Sequence, residues 1–132
     1  MRFRLLAMVA IVAGLLTPAL AHHSLNEYDQ STLVTLKGTV SDVKWLNPHV
    51  TITLAIRNPD GSTRSLKVEI GPPDGLARKG FDATILKIGD TVTFEVWMPK
   101  DPGITSHANG RGLTLGNGRR FLVGDSPMWQ AL

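Results

Sequence analysis

Four stretches of this chain alternate apolar and polar residues with a period of two, and that pattern decides most of what it can fold into. They carry Val34, Leu36, Gly38 and Val40; Val50, Ile52, Leu54 and Ile56; Leu66, Val68 and Ile70; and Val92, Phe94, Val96 and Met98. A β-strand puts every second side chain on one face, so each stretch predicts a strand with one buried face. The first stretch changes parity, because after Val40 its apolar residues are Val43 and Trp45. A slip of one residue would turn an apolar set outward, so a bulge or sharp bend is expected near Ser41-Asp42. Small barrels use such bent first strands to pass from one sheet to the other.

Turn chemistry separates the stretches. Leu46-Asn47-Pro48-His49 interrupts the pattern with a kink, and Asn58-Pro59-Asp60-Gly61 is a strong hairpin turn. Gly71-Pro72-Pro73-Asp74 ends the third strand, and residues 75–79 fit a short helix closed by Gly80. Asp82 can cap a further turn over residues 83–86, and Lys87-Ile88-Gly89-Asp90 turns into the fourth strand. Residues 99–112 read as a Gly/Pro-rich loop holding His107, and a last hairpin joins residues 113–115 to 121–123 through Gly116-Asn117-Gly118. Val40, Ile52, Leu54, Val68, Val92, Phe94 and Val96 are therefore expected inside, with Lys37, Lys67 and Glu95 exposed. Three strands, a short helix, then two or three strands is the OB-fold order. The fold class expected is all-β with one short helix, in a small OB-like barrel of five to six strands. An SH3-like barrel or a small sandwich fits the same pattern less fully.

The N-terminus predicts export. Arg2 and Arg4 precede a twelve-residue run of apolar residues and one Gly over 5–16, followed by Pro18 and Ala19-Leu20-Ala21. This is the layout of a cleavable signal peptide over residues 1–21. The run is short of the roughly 20 apolar residues a membrane span needs, so no stable anchor is expected after cleavage. The expected location is the periplasm. Residues 22–32 then form a polar N-terminal arm, residues 33–124 the barrel domain, and residues 125–132 a tail that is loose from Gly124, with Trp129 free to dock. The leader takes two of the 14 Lys and Arg residues and no acidic residue, leaving 12 basic against 11 acidic. That near-neutral balance, without a dense basic cluster, argues against a nucleic-acid partner. The absence of Cys excludes disulfides, thiolate metal sites and a Cys nucleophile.

The same residues resemble a family of small bacterial exported proteins defined without a known activity, domain-of-unknown-function family 6152. The likeness lies in A-H-H-S at 21–24, L-K-G-T-V at 36–40 and W-L-N-P-H at 45–49. It continues in G-x-P-x-x-L-x-R-x-G at 71–80, L-K-I-G-D-T-V at 86–92, N-G-R-G-L-T-L at 109–115 and G-R-R-F-L at 118–122. The resemblance implies an exported OB-like β domain and supplies no activity. His107 is not part of that pattern.

His22-His23 is the feature with most chemical content. Cleavage after Ala21 would free the α-amine of His22, and that amine can chelate one ion together with the His22 ring. A second imidazole across the ion completes a three-nitrogen site, which suits Cu(II) best, then Ni(II) and Zn(II). The arrangement is similar in geometry to the copper histidine brace of some exported proteins. His49 at the Asn-Pro bend is the expected partner, reached by an arm running back along the first strand, and His23 is an alternative chelating ring. Copper is thus the one cofactor expected, if any. The competing class is a non-metal structural or interaction module that docks an envelope protein. Trp45 and Trp97 offer stacking surfaces and equally fit a covered apolar patch. No G-x-S-x-G, H-E-x-x-H or phosphate-cradling Gly loop is present, and Ser24 beside His23 lacks an orienting acid, so no enzyme activity is expected. Asp42, Asp60, Asp74, Asp82 and Asp90 fall mostly at turns, where Asp bonds local backbone.

Overall fold

The computed structural model describes residues 25–125. The expected leader, His22, His23 and the tail from residue 126, including Trp129, lie outside the described residues. Among the described residues no helix is long and apolar enough to cross a membrane.

Strands β1 (Val34–Lys44), β2 (Thr51–Arg57) and β3 (Thr63–Glu69) are followed by helix α1 (Pro73–Arg78). Strands β4 (Thr91–Trp97), β5 (His107–Leu115) and β6 (Arg120–Leu122) complete the chain order. Neighbours pair antiparallel in the order β3-β2-β1-β4-β5-β6, and a parallel pairing of β3 with β5 closes the sheet. The result is a closed five-stranded mixed barrel with β6 as an extra strand, the OB-like architecture expected from the sequence. β1 can pair with both β2 and β4 because its register shifts between Val40 and Asp42, where the parity change requires a bulge.

The core is the inner face of that wall. Val40, Ile52, Leu54, Leu66, Val68, Val92, Phe94 and Val96 are all at most 1% exposed, while Lys37 and Lys67 point out. Helix α1 plugs the barrel with Leu76, and Phe81 follows it to meet Trp45 and Phe121 at ring-centre distances of 5.9 and 5.2 Å. Trp45 therefore packs against the core. The Asp82 segment is a turn and not a helix, with Asp82 accepting from the Thr84 amide at 2.8 Å.

Two expectations change. Residues 107–112 are strand and not loop: their outward His107, Asn109 and Arg111 are polar, and a register shift opposite Glu95 and Val96 moves the inward parity between Ala108 and Leu113, so no unbroken period of two marks the strand. Glu95 is only partly exposed: Arg120 reaches over β5 to it, its Nε donating at 2.9 Å. The contact crosses Gly112, where any Cβ would collide with the Glu95 carboxylate.

Candidate functional site

The β2–β3–β5–β4 wall carries a polar cluster on its outer face. The register explains it. Thr51 pairs with Glu69, Glu69 with Asn109, and Asn109 with Trp97. Side chains that alternate with buried Ile52, Val68 and Ala108 must face outward, so one row of outward residues runs across four strands. His49 joins the row two residues before Thr51, next to the cis Asn47-Pro48 peptide. Its position is set by a continued ladder, in which Ile70 N–H donates to the Val50 carbonyl at 2.9 Å and Val50 N–H to the Gly71 carbonyl at 3.1 Å.

His49 is the centre of the cluster. Its Nδ1 lies 3.4 Å from Glu69 Oε1 and its Nε2 lies 3.2 Å from Asp125 Oδ2. The His49 and Glu69 side chains are largely covered, at 24% and 20% exposure. Asp125 comes from the segment after β6, where the Gly71 amide donates to Val123 and the Val123 amide to Arg111. Gly124, where the sequence pattern has the chain loose, lies against the Arg111 guanidinium, within 2.5 Å of where a Cβ would stand. Arg111 in turn lies 4.1 Å over the Trp97 ring and reaches Asn109 Oδ1 at 3.5 Å. Burial presses the Arg111 pKa below its ordinary value, and the Asp125 charge partly restores it. Trp97 is thus a platform for a cation of the chain itself.

The N-terminal arm closes the other side. Its described part does not run back along β1. It crosses the end of β4 instead, because Asp29 N–H donates to Met98 at 2.9 Å, Lys100 N–H donates to Glu27 at 2.8 Å, and Tyr28 bridges Pro99. This buries Tyr28 to 1% exposure, edge-on to His107 with ring centres 5.9 Å apart. Burial, then the charges of Glu69 and Glu27, push the phenol above the usual tyrosine range, so it stays protonated and a donor. Its hydroxyl has no hydrogen-bond partner among the described residues.

Of the three candidate ligands read from the sequence, the structure therefore describes His49 alone, and it sets two carboxylates on that ring. Among the described residues no group of three or more His, Asp or Glu forms a metal cage. Tyr28, Glu69, Asn109, Arg111 and Asp125 were not legible as one site. The signals available were slight: Tyr28 is the sole tyrosine of the chain, and Glu69 is an acid on an otherwise ordinary outward strand position.

No curated protein and no solved structure is significantly similar to the chain. A family model does match, over residues 9–108, a span from the apolar N-terminal run to the first residues of β5. That is most of the 132 residues, and it takes in the arm, the His49 bend and Glu69. The chain belongs to a family of unknown function, DUF6152.

Proposed function

We propose that this protein is an exported β-barrel binding module that takes a transition-metal ion, copper first, between its mature N-terminus and His49. The observation that carries the reading is the setting of His49. Its ring stands on a rigid wall with a carboxylate toward each nitrogen, and the arm leading to His22 and His23 is tied down on the same wall. A ligating imidazole is commonly held by a carboxylate at its second nitrogen, which fixes ring orientation and tautomer.

Reach bounds the reading. Leu25–Glu27 is a 3-10 turn closed by Tyr28 N–H on the Leu25 carbonyl at 3.1 Å, so of the arm only residues 22–24 are left to extend, about 10 Å beyond Leu25, against three strand spacings of about 14–15 Å from β4 to β2. Two carboxylates, Glu69 and Asp125, face His49 directly, which favours a cation there, with Arg111 and the Lys79 ammonium, which donates to the Gly124 carbonyl at 3.4 Å, on the Asp125 side. The role is binding, without catalysis, and the location is the periplasm.

The test uses protein purified from the periplasm with its native N-terminus. Intact mass should match a chain starting at His22, and copper should be present or readily taken up. The matched pair His23→Ala, with and without one Ala inserted before His22, isolates the amine chelate. The insertion should weaken Cu(II) binding severely, and His49→Ala should weaken it too. A mature start beyond His22, or equal affinity in the matched pair with no loss in His49→Ala, would favour an interaction module instead.

A further inference from the structure

We propose that Asn117-Gly118, at the tip of the β5–β6 hairpin, is a site of spontaneous deamidation that rebuilds the turn with aspartate or isoaspartate and so controls how firmly β6 is held. The inference is independent of any metal.

The reaction needs a side-chain amide followed by a main-chain N–H that can reach it. The Gly118 nitrogen gives its proton to water and bonds to Asn117 Cγ. The Cγ–Nδ2 bond breaks, and Nδ2 takes up a proton and leaves as ammonia. Water then opens the five-membered imide. Opening at the Cγ carbonyl gives aspartate. Opening at the main-chain carbonyl gives isoaspartate, with the chain running through Cγ.

Elimination among the asparagines leaves Asn117. Asn47 and Asn58 precede Pro48 and Pro59, which have no N–H to attack with. Asn26 precedes Glu27, whose side chain hinders the approach and whose charge opposes loss of the amide proton. Asn109 precedes Gly110 but is 4% exposed, and Gly110 sits in the ladder opposite Val96 with no room for a Cβ. Asn117 also precedes a glycine, and residues 116–120 are all exposed.

The turn favours the attack. Gly118 has a φ of 88°, which suits glycine and leaves its nitrogen unhindered. Asn117 Oδ1 accepts from the Arg119 amide at 3.0 Å, which folds the side chain back over the Gly118 peptide and draws electrons from Cγ. The charges of Arg119 and Arg120 ease loss of the amide proton. One contact opposes it: Gly118 N–H donates to the Leu115 carbonyl at 2.9 Å and must open first. At an exposed loop tip such opening costs little.

The consequence reaches β6. Leu115 N–H donates to the Arg119 carbonyl at 2.9 Å and closes the hairpin, and isoaspartate adds a main-chain atom between them. Beyond the turn, Phe121 packs on Phe81 and Asp125 stands on His49. Isoaspartate therefore loosens β6, whereas plain aspartate keeps the turn.

The test ages the mature protein in warm, mildly alkaline buffer. Peptide mass mapping follows Asn117 and Asn109, and hydrogen exchange follows the hairpin amides. Asn117 should convert from amide to acid more than about 10-fold faster than Asn109, whose reaction waits for the strand to open. Part of the product should be isoaspartate, and the aged fraction should lose protection at the Leu115 and Val123 amides. Asn117→Asp should keep that protection, and Asn117→Ser should not age. Asn117 left intact, or Asn109 reacting as fast, overturns the site. Equal loss of protection in fresh Asn117→Asp overturns the role given to the extra main-chain atom.

Discussion

Along the β3–β5 seam, successive residues of the same two strands face opposite ways and are held by different physics. Inward, Val68 pairs with Ala108, and a Cβ on Gly110 would come within 2.7 Å of Ile70 and 2.8 Å of Val68. Outward, Glu69 pairs with Asn109, and the neighbours are a histidine, a tyrosine, an arginine and an aspartate brought from the bend, the arm, β5 and the last described residue. The inner face is closed by volume and excludes water. The outer face combines partly exposed ion pairs of His49, each of the kind worth about 0–1 kcal/mol, with the buried Tyr28 and Asn109. The difference teaches that the barrel holds the cluster, while the cluster contributes little to the barrel. The His49 ion pairs of the outer face can be removed without loss of the fold.

The largest effect should come from breaking the inner face. Leu54 is fully buried on β2, and Leu54→Ala should lower unfolding free energy by about 2–5 kcal/mol in denaturant titration. A loss below 1 kcal/mol would mean that the barrel interior is not the main source of stability.

A middle effect is expected where the two faces meet. Arg111 is held over Trp97 and against Gly124, so Arg111→Ala removes a partly buried cation–π contact worth about 0.5–2 kcal/mol. Fluorescence of Trp97 should change, and the variant should be destabilised by about that amount. An unchanged spectrum would place Arg111 elsewhere in solution.

This contrast also explains what was legible in the sequence. The inner face obeys a period of two, so strands β1 to β4, the bulge after Val40 and the core from Val40 to Val96 follow from local pattern. Strand β5 escaped because its first residues, His107, Asn109 and Arg111, carry function-like side chains outward and only Ala108 and Gly110 inward, too small to mark a strand. The outer cluster escaped for a different reason. His49 stood out as a candidate because His is rare and sits at a bend, but Glu69 and Asp125 become its neighbours only through barrel closure and the docking of the chain after β6. The path of the arm, likewise, is set by backbone bonds at Met98 and Lys100 that no side-chain pattern announces.

The smallest effect concerns three solvent-exposed turns. Asp29, Asp60 and Asp82 each accept the amide and hydroxyl of the residue two ahead, Ser31, Ser62 and Thr84. Those hydrogen bonds hold each carboxyl below its ordinary value. A lowered folded pKa stabilises above the unfolded value of about 3.9, and the contribution is lost as pH falls through the folded value. The melting temperature should therefore be insensitive to these groups from neutral pH to about pH 5 and decline below about pH 4. Asp82→Asn should shallow that decline slightly, and a melting temperature that rises on acidification would contradict the assignment.

The central claim is that the arm and the barrel share one ion through His49, and it has a direct thermodynamic signature. An ion held by His22 and His23 alone binds folded and unfolded chains alike and leaves barrel stability unchanged. An ion that also bonds His49 favours the folded state, by about 2.7 kcal/mol when free ion exceeds its Kd a hundredfold. The measurement is the melting temperature of the mature protein with and without excess Cu(II), in wild type and in His49→Ala. The account predicts a rise of several degrees in wild type and none in His49→Ala, with both proteins melting within a few degrees of each other when metal-free. A melting temperature that copper leaves unmoved in wild type, or raises equally in His49→Ala, would contradict it.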